Sequence, residues 1–252
     1  MKPRLNVLFC NCSANIFSGE KVDELKASLK LLDANVFELH DLCALAVHDK
    51  APLESLLRSA GSDIFIACYP RAVKNILRQN GIANHKTEVI NLREMSPPEI
   101  IRLLKDQYGI SDGEAAYDVV KTTLEVPAWY PVVDHAYCNL CGKCSRFCMF
   151  GVYKFDKKSL EVVNPLACKN NCPACGRKCP ASAIIFPRLP ENSVLSGADP
   201  SLNDNQQVDE GELYSALNRR NRARKSIFRE GVVAKARNDG DDAAGDNQTP
   251  TE

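Results

Sequence analysis

The sequence predicts an α/β domain, a parallel sheet with helices on both faces, followed by a small cysteine-bearing α+β module and a largely disordered tail. Three observations predict it. Between Leu5 and Ile110, short apolar runs alternate with helix-like stretches, strand after helix after strand. Those runs are apolar along their length instead of alternating, as strands covered on both faces are. Eight cysteines then crowd between Cys138 and Cys179, and beyond Val194 the chain turns to Asn, Asp, Gln and Gly.

In chain order, Leu5 to Cys10 reads as a strand, Glu20 to Leu32 as a helix and Val36 to Leu39 as a second strand. Pro52 to Ser59 follows as a helix, Ile64 to Ala67 as a strand and Arg71 to Asn80 as a helix. Glu88 to Ile90 adds a strand, and Pro97 to Tyr108 a helix that Ser96 opens as N-cap with prolines in its first turn. The α/β domain thus occupies residues 1–110. Residues 111–134, polar and then apolar around two prolines, read as a linker that packs onto the next module. The module takes 135–190, where Gly151 to Val163 reads as two short strands around Asp156 to Ser159. Residues 191–252 form the polar tail, with a basic helix around 209–235 and disorder expected from Asn238 onward.

A formal net charge of zero argues against a surface coated for nucleic acid. No stretch approaches the roughly 18 apolar residues that span a bilayer, and Leu5 to Phe9 is too short for a secretory signal core. The expectation is a cytoplasmic protein without membrane insertion. Twelve cysteines then read as thiolate ligands in a reducing compartment, not as disulfides.

Cys138, Cys141, Cys144 and Cys148 are spaced C-x2-C-x2-C-x3-C, the run that wraps backbone around a cubane cluster. Cys168, Cys172, Cys175 and Cys179 form a second run, closed by Pro180. From Tyr137 to Pro187 the chain resembles the dicluster bacterial-type [4Fe-4S] ferredoxin family. The resemblance implies two [4Fe-4S] clusters, with the fourth cysteine of each run crossing to the other cluster. Carried over, Cys138, Cys141, Cys144 and Cys179 hold the first, and Cys148, Cys168, Cys172 and Cys175 the second. Two departures stand out: Met149 follows Cys148 where the family has proline, and Lys169, Asn170 and Asn171 widen the first gap of the second run. The competing reading is a pair of structural zinc sites, which also use C-x-x-C units. Zinc requires neither this spacing nor the closing proline, so iron–sulfur is preferred.

Cys10, Cys12, Cys43 and Cys68 remain, most of them at or just past strand ends. The carboxyl ends of parallel strands are where α/β folds place ligands, so these four can meet at one edge of the sheet. Here the sequence resembles the N-terminal domain of the heterodisulfide-reductase-A family. The likeness lies in Leu8 to Cys12 with Asn15 and Ile16, in the isolated Cys43, and in Ala67 to Arg71 opening a helix. Asn11 and Ser13 depart from the family's Cys-His-Cys-Gly, and its flavin-binding region is absent. The resemblance implies a third redox site here, either an iron–sulfur cluster or a thiol pair. The alternative is that Cys43 and Cys68 are buried small apolar residues and Cys10 and Cys12 incidental. Nothing resembles G-x-G-x-x-G, so neither flavin nor nicotinamide is expected.

The basic cluster from Arg219 to Arg229 reads as a docking segment, since only Phe228 interleaves it. His40, His48, His85 and His135 show no ligand spacing; Arg71, beside the cysteine edge, is a candidate for contacting a cluster or a partner. No nucleophile with a base partner appears, so no catalytic residue is assigned. The expected function is electron transfer to or from a partner oxidoreductase. The alternatives are an iron–sulfur component of a heterodisulfide-reductase-like complex, and a redox sensor or assembly factor.

Overall fold

A computed structural model describes residues 4–59, 63–82, 87–193 and 195. The basic segment around 209–235 lies outside the described residues, as does the end of the tail.

Five parallel strands form the sheet: β1 (Asn6–Asn11), β2 (Asn35–His40), β3 (Asp63–Ala67), β4 (Thr87–Asn91) and β5 (Ala116–Val120), in the order β4-β3-β1-β2-β5. Between them run α1 (Gly19–Leu29), α2 (Leu42–Val47), α3 (Lys50–Ser59), α4 (Pro70–Gln79) and α5 (Pro97–Tyr108). Successive strand residues point to opposite faces. Leu8 and Cys10 therefore pack with Leu42, Leu53, Val73 and Ile76 of α2, α3 and α4. Val7 and Phe9 pack on the other side with Leu25, Leu29, Ile100 and Leu104 of α1 and α5. Both faces are covered, which is why Val7 to Cys10 of β1 and Ile64 to Ala67 of β3 are apolar. Local signals set the helix ends: the Glu99 carboxylate accepts from Ser96 N–H at 2.8 Å and from its hydroxyl at 2.7 Å, and Gly109 closes α5 at φ 67°.

Two elements differ from expectation. Helix α2 is a short apolar turn capped by Asp41, whose carboxylate accepts from Ala44 N–H at 3.2 Å; six residues carry too little periodicity to announce it. The stretch expected as a linker contributes β5, which lies at the sheet edge and is largely exposed, so it lacks the apolar run that marks its neighbours. Its Tyr117 hydroxyl donates to the buried Glu38 carboxylate at 2.6 Å.

The cysteine-rich part comprises β6 (Val132–Val133), α6 (Lys143–Phe147), β7 (Tyr153–Phe155), β8 (Leu160–Val162), α7 (Ala174–Arg177) and β9 (Ile184–Ile185). β6 pairs antiparallel with β9, and β7 with β8 around a turn whose Asp156 carboxylate accepts from the N–H groups of Lys158 and Ser159. This part packs directly on the α/β domain. The Arg71 guanidinium pairs with Asp134 at 2.6 Å, donates to the Ser182 carbonyl at 3.0 Å, and lies 4.7 Å from the Tyr137 ring centroid. Arg93 donates to the carbonyls of Pro187 and Arg188, and the Gln79 side chain bridges Val133 N–H and the Pro131 carbonyl. Among the described residues no helix is long and apolar enough to cross a membrane.

Candidate functional site

The sheet order reverses at β1, since β2 lies on one side of it and β3 on the other. Ligands of open α/β sheets bind at the carboxyl ends of strands beside such a reversal. Cys10 lies near the end of β1, Cys12 follows it, Cys68 follows β3 and Cys43 sits in the first turn of α2. All four line one cavity of about 20 Å³, with Ile16, Phe17, Pro187 and Arg188 around them. Burial pushes the Cys10 and Cys43 thiols well up, each raised further by neighbouring thiols and Asp41. Burial also lifts Cys68, to about 11, and Cys12. The polar backbone of Leu42 and Tyr69, at the starts of α2 and α4, opposes that rise at Cys10 and Cys68. Asn11 and Ser13 have structural partners: Asn11 donates to Glu38 at 2.7 Å and Ser13 to Asp41 at 2.5 Å. The donor set suits soft metal chemistry, but the cavity admits about one water, so a cubane would require side chains to shift outward.

In the cysteine-rich part, Cys148, Cys168, Cys172 and Cys175 line a single pocket of about 300 Å³ with Phe147, Met149, Phe150, Val152 and Tyr153. Cys148 comes from the first run and the other three from the second. Cys168 lies within electrostatic reach of Cys175, Cys172 and Cys148. Cys144 interacts with Cys175, Cys179 and Cys138, which gathers two members of each run. Ala183 N–H donates to the Cys179 sulfur at 3.2 Å. Burial raises Cys144 and Cys168 to about 12 and Cys175 to about 11. Such thiols are protonated at neutral pH, so a metal that binds them must displace protons. Among the described residues no three or more His, Cys, Asp or Glu side chains form a group that could hold a metal ion. Cys148, Cys168, Cys172 and Cys175 instead lie along the wall of a larger pocket, and once deprotonated they would supply the four-thiolate donor set of an iron–sulfur cubane.

Part of the chain is similar to a ferredoxin. Over 61 residues it is 43% identical to an uncharacterized ferredoxin of Methanocaldococcus jannaschii, a stretch that covers 24% of this chain and 42% of that protein. The chain therefore matches less than half of its relative's length. No family model matches the sequence, and no solved structure matches it.

Three residues around the ferredoxin-like cysteines are not apparent from the cysteine spacing alone. Gly142, between Cys141 and Cys144, sits at φ 67°, and a Cβ there would collide with the Phe155 ring. The buried Tyr153 hydroxyl has no hydrogen-bond partner of ordinary geometry among the described residues, yet it interacts with Cys175 and also feels Cys144 and Cys148. Trp129 stacks on Phe186 at 4.9 Å and donates to the Cys172 carbonyl at 3.3 Å. Its position before the first cysteine run hides that role. Arg71 is engaged by Asp134 and the Ser182 carbonyl, which makes it a clamp between the two parts of the chain.

Proposed function

We propose that this chain is an electron-transfer iron–sulfur protein in which Cys138, Cys141, Cys144 and Cys179 hold one [4Fe-4S] cluster and Cys148, Cys168, Cys172 and Cys175 a second. The observation that carries the reading is the roughly 300 Å³ pocket in which Cys148 joins three cysteines of the other run. Similarity to a ferredoxin supports it independently. Each cluster would supply reversible uptake of a single electron, with no bond made to a substrate. The chain's own residues set the conditions. Val152, Phe186 and the Trp129 ring exclude water from the inner side of the thiol groups, and the Ala183 N–H stabilises negative charge on the Cys179 sulfur. The interaction of Cys144 with Cys175 across the two sets supports neighbouring centres, between which an electron would pass. The partner is a protein oxidoreductase in a reducing cytoplasm.

Iron and acid-labile sulfide per chain, measured on anaerobically purified protein with EPR after dithionite reduction, test the proposal. About eight irons are expected from two cubanes. Zinc without iron would remove the electron-carrier reading.

One observation favours a second reading, a component of a heterodisulfide-reductase-like assembly: Cys10, Cys12, Cys43 and Cys68 share one cavity. With a third cluster on them the count rises to about twelve, and Cys10→Ser with Cys12→Ser lowers it by about four. An unchanged count excludes a cluster there and leaves a thiol pair or buried structural cysteines.

A further inference from the structure

Both departures from the ferredoxin pattern fall at one place. Met149, which stands where the family has proline, and Lys169, which opens the widened gap, line the same pocket as Cys148, Cys168, Cys172 and Cys175. Met149 is 86% exposed, beside Phe147 at 51% and Phe150 at 39%. Single exposed apolar residues are ordinary, but three large ones around one pocket form a patch, and such patches mark interaction sites.

Positive charge rings the patch. The Lys178 ammonium lies 5.8 Å from the Phe147 ring centroid, Lys169 stands on the pocket wall, and Lys143 precedes Phe147 by four residues on α6, hence on the same face. From Pro131 to Pro190 the sequence holds nine Lys and Arg against three Asp and Glu. One of those acids, Asp134, is buried against Arg71, which leaves Asp156 and Glu161 exposed. The chain as a whole is neutral, so this stretch carries a local positive excess. An apolar centre with a charged rim is the anatomy of a protein interface, in which the rim steers encounter and the centre holds.

Resting on the iron–sulfur reading above, we propose that this patch docks a redox partner protein whose contact face is apolar at its centre and acidic at its rim. Electrons then enter or leave through the centre on Cys148, Cys168, Cys172 and Cys175. Met149 and the extra residue beside Lys169 adapt a ferredoxin-type module to that partner.

The test uses the full, cluster-loaded chain reduced by dithionite, with an acidic flavodoxin as probe and a basic cytochrome c as control. In each turnover one electron leaves the reduced chain; the flavin takes it up with one proton from water, whereas the haem iron takes the electron alone. Stopped-flow absorbance gives the second-order rate. Transfer to the flavodoxin is expected to be fastest at low salt and to fall steeply as salt rises. Lys143→Glu with Lys178→Glu, and separately Lys169→Glu, are expected to slow it about tenfold or more at low salt and to differ little from wild type at high salt, in line with rim charges acting on association. Met149→Ser is expected to slow it at every salt concentration. Iron and sulfide content, measured on each variant, separates loss of docking from loss of the cluster.

Wild-type chain without iron would sink the iron–sulfur reading and this proposal together. Loaded, reducible variants that transfer at the wild-type rate would sink the docking surface alone. A flavodoxin rate that stays flat or rises as salt is added, or single-stranded RNA binding that the lysine variants abolish, would also overturn it.

Discussion

Replacing Arg71 with Met tests how the cysteine-rich part is held on the sheet domain. The Arg71 side chain is 12% exposed and that of Asp134 5% exposed, with 2.6 Å between their charged atoms. Truncating one partner of a buried pair strands the other charge, which costs about 3–5 kcal/mol. Asp134 keeps one donor, Ala136 N–H at 3.1 Å, so the lower end applies. About 3 kcal/mol is a roughly hundredfold change in the unfolding equilibrium, or a midpoint shift of about 1.5 M urea at a slope of about 2 kcal/mol per M. The assay is a urea titration of the full chain followed by far-ultraviolet circular dichroism, run as a double-mutant cycle with Asp134→Asn. With the carboxylate neutralised, Arg71→Met should cost much less than in the wild-type background. Two costs that simply add, within about 0.5 kcal/mol, would refute the reasoning, because the pair would then contribute no coupling.

Glu38 gives a pH prediction. Burial opposes its ionisation, yet hydrogen bonds from Lys26, Tyr117 and Asn11 outweigh burial and hold its carboxyl at about 2 instead of 4.5. A depressed carboxyl stabilises the fold above its unfolded value and loses that contribution as pH falls from 4.5 toward 2, a total of about 3 kcal/mol. The stability difference between wild type and Glu38→Gln, measured by urea titration, should therefore shrink between pH 7 and pH 3. A constant difference would count against the network. Gly142→Ala forces a side chain into the left-handed region, at about 1–2 kcal/mol, and into the Phe155 ring. Iron per chain should fall, and adding Phe155→Ala should restore part of it. No recovery would mean that the ring is not the obstacle.

Legibility in the sequence followed how local each signal is. Strands β1 and β3 are buried on both faces, so their runs are uniformly apolar and easy to read. Helix α5 carries its own capping residues, Ser96 and Glu99. Strand β5 is an edge with Tyr117 turned to Glu38, and its partner β2 lies about 80 residues earlier, so neither burial pattern nor neighbours announced it. β6 and β9 are two residues each, and their antiparallel pairing spans the whole cysteine segment. The eight ferredoxin-like cysteines are visible from spacing alone. Which of them share a pocket came from family resemblance, because nothing local to Cys148 points across to Cys168.

The same geometry would couple the proposed clusters to the fold in the cysteine-rich part. Its own core comprises Trp129, Val133, Cys144, Leu160, Cys175, Ile184 and Phe186, so two of the seven buried residues are proposed ligands. A core this small contributes only a few kcal/mol beyond the entropy it must offset. What compensates is docking onto the sheet domain through Arg71, Arg93 and Gln79, to which the proposed clusters would add metal–thiolate bonds in place of raised thiol protons. Cys168 packs against both the sheet-domain core and this smaller one, so it joins the two supports. Losing either the clamp or the cluster should therefore loosen the other, and the Arg71 variant should release iron to a chelator faster than wild type does. Equal release rates would mean that the module stands on its cluster alone.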